Sequence, residues 1–485
     1  MERPLDYLKK HAHHDWLIGH HSLQFHKIAE ELYLELTHLS ACETPPKIIL
    51  AEREPIKFLA SFIAACAAHC PVFLCNPDWG KQELQQVFDL VQPDIIWGLG
   101  TRDWGLGTGD WEEKTTPSHL SPTPPLPHSA RAKRPATVNI TQHSSLIMIP
   151  TGGSSGEIKF AIHTWETLMA SVQGFTEYFQ LKQVNSFCVL PLYHVSGLMQ
   201  FMRSFTTGGQ LVILPFKTLE SGQILNIEQS KFFLSLVPTQ LQRLLQNSEL
   251  TEWLTQFQTV LLGGAPAWNE LLEKARFHCI RLAPTYGMTE TASQIATLKP
   301  DDFLKGQISS GQILPHAHVT ICNQQGEILN SNQIGNIIIQ AKSLAIGYYQ
   351  TDKIQDYFQV DDLGFLDNQG YLNIVGRSSD KIITGGENIY PTEIESAILA
   401  TKTVADICII GIPDKHWGQA LTAIYTPQNP NISTLEIQIL LKDKLSKFKI
   451  PKHWISLQSL PRNSQGKINR QQLQQIATKF LNNLS

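Results

Sequence analysis

The chain has 485 residues, 42% hydrophobic and 17% charged, with a formal net charge of −4. That is too apolar for disorder, and no overall positive field attracts nucleic acid or an anionic membrane. Eight cysteines without a Cys-x-x-Cys pair exclude a disulfide framework and predict a reducing, cytoplasmic setting.

The opening stretch Met1–Trp16 has no apolar h-region, which predicts no secretory leader. His11, His13, His14, His20 and His21 have no cysteine ligands beside them, so they read as a solvated, partly helical face rather than a metal site. Phe58–Cys75 is long enough to test as a membrane span, but His69 and Pro71 interrupt it. It reads as a buried helix, a turn and a strand, with Cys66, Cys70 and Cys75 in the core. No transmembrane segment is expected. Trp97–Asp110 repeats WGLGT twice, but it misses the dinucleotide-loop spacing and reads as a surface turn. Six prolines between Thr115 and Pro135 forbid regular structure there.

From Ser144 to about Gly376, short apolar runs end in glycine or proline and alternate with helical stretches. SLIMIP, SFCVLP, QLVILPF, TVLLGG and GNIIIQA are examples. This pattern predicts an α/β fold with mostly parallel, covered sheets. After Asp380, 105 residues remain, enough for a small α+β domain. DICIIGIPD and LTAIYTP read as strands there. STLEIQILLKDKLSKF reads as an amphipathic helix capped by Ser433 or Thr434.

Four segments could carry chemistry. Thr151-Gly152-Gly153-Ser154-Ser155-Gly156-Glu-Ile-Lys159 follows a strand. Its glycines let main-chain N–H groups converge, and its hydroxyls and Lys159 suit a polyphosphate. Its spacing is not that of a Walker loop. In Thr285-Tyr286-Gly287-Met-Thr289-Glu290, the Tyr286 ring suits a nucleobase, Thr289 a phosphate oxygen and Glu290 a Mg²⁺ ion. Gly376-Arg377-Ser-Ser-Asp380 leads into Lys381-Ile-Ile-Thr-Gly385-Gly386-Glu-Asn-Ile-Tyr-Pro391. Pro461-Arg-Asn-Ser-Gln-Gly-Lys467 lies near the end. Taken singly, these are a flexible turn, a helix entry and solvated loop charges.

Taken together and in this order, the segments resemble the acyl-adenylate-forming superfamily of acyl-CoA synthetases, luciferases and peptide-synthetase adenylation domains. The resemblance covers nearly the whole chain. Pro191-Leu-Tyr-His194-Val-Ser-Gly197, Leu262-Gly263-Gly264-Ala265-Pro266 and Asp361-Asp362-Leu-Gly-Phe365 also match its pattern. Tyr286–Gln294 and Gly385–Pro391 resemble the members that ligate 2-succinylbenzoate to CoA in menaquinone and phylloquinone synthesis.

The resemblance implies a large domain over 1–378, made of layered α/β subdomains with a β-barrel-like part, and a mobile domain over 379–485. It implies ATP, Mg²⁺ and CoA, a small carboxylic acid as substrate, and no nucleic-acid partner. It assigns Lys467 to the reacting carboxylate and α-phosphate, Glu290 to Mg²⁺ and Asp362 to the ribose. Gly263–Pro266 contact the adenine, Gly385–Gly386 line the thiol path, and His194 gates the acid. Arg377 belongs to the nucleotide set. Ser196, Arg203, Thr285 and Gln294 are candidates for a second substrate carboxylate. Three positions depart from the pattern: Gly153 for a hydroxyl residue, Val360-Asp361 ahead of Asp362 for Thr-Gly, and Ser379 for a charged pivot residue. A fatty or aryl acid, a carrier-protein acceptor and a catalytically silent nucleotide-binding homologue remain open, as does a homo-oligomer.

Overall fold

The computed structural model describes residues 2–12, 14–40, 44–99, 145–152, 158–351, 353–354, 356–384, 387–414, 417–430, 432–442, 444–446, 449–462 and 468–482. The second half of the Trp97–Asp110 repeat, the proline-rich stretch and His13 lie outside these residues.

The apolar run after Glu54 folds as expected. Pro55 opens the helix Pro55–Ala67, and the Glu54 carboxylate accepts the N–H groups of Ile56 and Lys57 at 2.9 and 3.1 Å. The chain then turns into the strand Val72–Leu74, and Cys66, Cys70 and Cys75 are buried. Among the described residues no helix is long and apolar enough to cross a membrane.

Val72–Leu74 belongs to a six-stranded sheet. There Ile48–Leu50 lies parallel to Val72–Leu74 and to Ile95–Trp97, and Leu146–Gly152 lies parallel to Val72–Leu74 on the other side. Ile158–Thr164 returns antiparallel, with Thr151 opposite Lys159 and Gly152 opposite Ile158. Gly347–Tyr348 closes that edge.

The second sheet has eight strands. Leu17–Ile18, Leu211–Ile213, Asn185–Cys188, Phe232–Leu236, Thr259–Leu262 and Leu282–Met288 run parallel, as their near-continuous apolar runs predict. Ser293–Thr297 and Gln312–Ile313 then add antiparallel edges. GNIIIQA departs from the expected parallel setting. It forms Gly335–Ala341 in a four-stranded antiparallel sheet with Ala317–Cys322, Phe358–Leu366 and Leu372–Arg377. Its alternation of buried and half-buried residues is that of a one-sided sheet.

Residues beyond 381 build their own sheet. Val404–Asp414 and Gly418–Pro427 form a long hairpin flanked by Ile382–Thr384, Glu387–Ile389 and His453–Ser456. The capped helix starts at Thr434 as expected, and Ser433 Oγ accepts the Glu436 N–H at 3.2 Å. Arg470 ties this part together. It donates to the Ile409 carbonyl at 2.8 Å and pairs with Glu395 at 3.1 Å and Asp380 at 3.2 Å. The apolar clusters here draw on residues from Ile382 onward, whereas the clusters of the other three sheets stop at Ile374.

The N-terminal histidines correct one expectation. His11 is buried rather than solvated: its ring stacks on Phe205 and its Nε2 donates to the Phe205 carbonyl at 2.6 Å. The helix Pro4–His11 buries Tyr7, Leu8 and His11 on one face, so the position follows helical phase rather than local composition.

Candidate active site

The site is built around the turn Thr289–Ala292, where the strand Leu282–Met288 reverses into Ser293–Thr297. Four successive carbonyls of this turn accept hydrogen bonds from elsewhere in the fold. His163 Nε2 donates to Thr289 O at 2.8 Å and the Ala345 N–H to Glu290 O at 2.8 Å. Ser343 Oγ donates to Thr291 O at 2.9 Å and Ser171 Oγ to Ala292 O at 2.6 Å. Burial holds His163 down to about 4, so the neutral ring donates through Nε2 while Nδ1 faces the Thr167 hydroxyl.

This turn presents Glu290. Its Oε1 accepts the Tyr348 hydroxyl at 2.8 Å and the Thr151 hydroxyl at 3.3 Å. Thr151 is the first residue of the segment Thr151–Lys159, so one carboxylate oxygen ties the start of that segment to the turn. Burial, then the negative charge of Glu290, raises the Tyr348 phenol and keeps it a donor.

Four residues earlier, the register slips between Tyr286 and Gly287: Tyr286 opposes Ala296, while Gly287 opposes Gln294. Gly287 is obligatory at this slip, because a Cβ there would stand 2.1 Å from the Ser293 carbonyl oxygen. Tyr286 turns to the four-stranded sheet and donates to Asp362 Oδ2 at 2.6 Å. Asp362 Oδ1 lies 3.5 Å from Arg377 Nε, directly across the strand pair. Burial and Asp362 together raise the Tyr286 phenol. The Gly263–Pro266 turn sits beside this group. A Cβ on Gly263 would be 2.5 Å from Thr285 Oγ1, which also approaches the Leu262 carbonyl at 3.3 Å.

A buried cation lies behind the turn. Arg203 is 3% exposed, sits 4.1 Å over the Phe175 ring, and donates to Ser293 Oγ at 3.3 Å and Gln294 Oε1 at 3.2 Å. Burial pulls its guanidinium down to about 9, still cationic at neutral pH. Its Nε, Gln200 Oε1 and both ring nitrogens of His316 are buried without a hydrogen-bond partner. Burial, then Arg203, holds His316 down to about 4.

The AMP-binding enzyme family matches residues 41–349, and its C-terminal domain matches residues 393–467. The chain belongs to the AMP-binding enzyme family. Among relatives of this AMP-binding enzyme, the 2-succinylbenzoate–CoA ligase of Oceanobacillus iheyensis is 37% identical over 290 residues, 59% of this chain and 60% of that enzyme. The chain therefore spans less than two thirds of that relative's length. The 2-succinylbenzoate–CoA ligase of Listeria monocytogenes serovar 1/2a is 34% identical over 68% of this chain and 69% of its own length. The fold matches o-succinylbenzoate CoA synthetase from Bacillus subtilis in complex with the acyl-adenylate intermediate OSB-AMP. That structure has a TM-score of 0.79 and 23% identity, over 97% of this chain and 98% of that one.

In this AMP-binding enzyme, the predicted residues Thr151, Tyr286, Gly287, Thr289, Glu290, Asp362 and Arg377 come together. Gly152 ends a strand beside them, and Lys159 is exposed on the paired strand opposite Thr151. Gly264, Ala265 and Pro266 are exposed after the strand Thr259–Leu262. His194 is half-buried, directly ahead of the helix Val195–Thr207. Ser196, Gln200 and Arg203 share one face of that helix by their spacing, and the Ser196 carbonyl accepts Gln200 Nε2 at 3.0 Å. Gly153, Ser154, Ser155, Gly156, Gly385, Gly386 and Lys467 lie outside the described residues.

Among the described residues no three His, Cys, Asp or Glu side chains cluster as a metal cage. Mg²⁺ needs none where one carboxylate and the nucleotide's own phosphates hold it, and Glu290 fits that role because both hydroxyl bonds fall on Oε1 alone. Sequence reasoning missed His163, Tyr348 and His316. His163 left one trace, a histidine closing the buried strand Ile158–Thr164. Tyr348 left none, because it reaches Glu290 across 58 residues.

Proposed function

We propose that this protein is an ATP-dependent ligase that joins 2-succinylbenzoate to CoA through an acyl-adenylate, releasing AMP and pyrophosphate. One observation carries the reading. Glu290 and Asp362 are each oriented by a phenol, Tyr348 and Tyr286 respectively, at a single strand reversal beside the glycine-serine stretch. That arrangement suits a nucleotide with its ribose at Asp362 and its phosphates toward Thr151 and Glu290.

In the first half-reaction the acid's carboxylate attacks the α-phosphorus and pyrophosphate leaves. An acid of pKa about 4 is already ionised at neutral pH, so no general base is required. The barrier is the approach of an anion to a polyanion, which positioning and charge neutralisation lower. Lys467 supplies the cation between the carboxylate and the α-phosphate. The 151–159 stretch cradles the outgoing phosphates. Glu290 would hold Mg²⁺, which would supply charge neutralisation for these phosphates. The clamped carbonyls of Thr289–Ala292 keep Glu290 from swinging as charge redistributes.

In the second half-reaction the CoA thiolate attacks the acyl carbon and AMP leaves. A thiol of pKa about 8.5 offers some thiolate at neutral pH, so exclusion of water matters more than a base. Residues 379–485 form a domain that turns against 1–378 about Ser378–Asp380, withdraws Lys467 and brings Gly385–Gly386 to the thiol path. The separate apolar clusters on either side of this joint support such a division. Arg203 is the group for the acid's second carboxylate: a buried cation whose Nε has no partner gains most from a fixed anion. The seven described cysteines are free, which supports a cytoplasmic setting.

The test incubates the protein with ATP, Mg²⁺, CoA and either 2-succinylbenzoate or a fatty acid, and weighs the thioester formed. The expected product is the succinylbenzoyl thioester. A fatty-acyl thioester alone keeps the ligase class and changes the acid. No acid-dependent ATP consumption ends the reading.

A further inference from the structure

Asp361 and Asp362 are neighbours on the strand Phe358–Leu366, so their side chains leave on opposite faces. Asp362 turns inward to Tyr286 and Arg377. Asp361 turns to the place where the chain leaves the four-stranded sheet. Its Oδ1 accepts the Ser379 N–H at 3.1 Å, its Oδ2 accepts the Ser379 hydroxyl, and its main-chain carbonyl accepts the Ser378 N–H at 2.7 Å. One residue thus holds both residues of the exit. Two departures from the family pattern, Asp361 for glycine and Ser379 for a charged residue, meet in this contact.

We propose that Asp361 is a positioning residue that sets the angle at which residues 382–482 leave the N-terminal sheets, and that the charge at residue 379 tunes this angle. The proposal rests on the domain alternation above. No apolar cluster among the described residues spans the joint, so polar bonds fix its direction: those of Asp361, and one from the Thr392 hydroxyl to the Val375 carbonyl at 2.8 Å. Asp361 and Ser379 are both exposed, so water competes for their bonds and the joint can open in each catalytic cycle. A charge at residue 379 acts directly on the Asp361 carboxylate. An aspartate repels it and disfavours the present orientation, whereas a lysine pairs with it and favours that orientation.

Two readouts test this. The first is the ratio of acid-dependent ATP–pyrophosphate exchange to thioester release from pre-formed adenylate. The second is the distance between dyes placed on the two sides of the joint, in resting enzyme. Ser379→Asp and Ser379→Lys should move the ratio in opposite directions, each by about three- to five-fold at low salt and less at high salt. The dye distance should shift in parallel. In an Asp361→Asn background the two substitutions should give the same ratio and the same distance. The proposal is overturned if both charges move the readouts the same way, if neither does, or if the opposed shifts persist in the Asp361→Asn background. Failure of the ligase reading looks different: the unsubstituted protein then shows no exchange, while the dye distance still reports on Asp361.

Discussion

The turn at Thr289–Ala292 and the joint at Ser378–Ser379 are made of the same material, hydrogen bonds between side chains and main chain. Their surroundings separate them. At the turn the donors His163, Ser171 and Ser343 are buried, so a lost bond leaves a carbonyl without water to replace it. At the joint, Asp361 and Ser379 are exposed, so a lost bond is exchanged for one to water. Burial makes one fixed and solvent makes the other reversible. The proposed two-step ligation needs both, a rigid seat for the nucleotide and a joint weak enough to turn.

The largest expected effect tests the proposed alternation. Lys467→Ala should slow adenylate formation by about 100-fold or more, the loss of one transition-state cation contact. Thioester formation from pre-made adenylate should be largely retained, and equal loss in both half-reactions breaks the contrast. Next comes pH. His163 is held to about 4 in the fold against about 6.5 in the open chain, so its contribution is complete above pH 6.5 and is lost as pH falls toward 4. This should cost about 2 kcal/mol of stability by pH 5. His163→Gln should flatten that part of the pH profile in thermal or denaturant unfolding.

A paired substitution then compares the two regions directly. Ser171→Ala strands the Ala292 carbonyl and should cost about 1–2 kcal/mol, whereas Ser379→Ala should cost less than about 0.5 kcal/mol. Equal costs in urea unfolding dissolve the distinction. A smaller effect than that of Ser171→Ala is expected of Tyr348→Phe. It removes one of two hydroxyls from Glu290 and should weaken Mg²⁺ dependence by about five-fold, read from adenylation against Mg²⁺ concentration.

The motifs were legible because glycine and proline punctuate the apolar runs, and the strands Leu146–Gly152, Thr259–Leu262 and Leu282–Met288 stand where those runs end. Tyr286, Glu290, Asp362 and Thr151 were legible by residue type and order. Their mutual contacts were not, because Thr151 reaches Glu290 over 139 residues and Tyr286 reaches Asp362 over 76. His163 and Ser171 escaped notice for the same reason: each acts on a main-chain carbonyl more than 100 residues away, which no local pattern encodes. His11 was misread because a histidine-rich tract looks polar, while helical phase turns that one residue into the core.

The slipped register at Tyr286–Gly287 has a consequence for the lengths this chain can tolerate. The extra residue is Ile295 on the returning strand, which lies between the partners of Tyr286 and Gly287 and opposes neither. Deleting Ile295 would bring Gln294 and Ala296 into plain register and shift one end of the returning strand by a residue against its neighbours. The count of residues in Ser293–Thr297 therefore matters to this pairing as much as the absence of a side chain at Gly287.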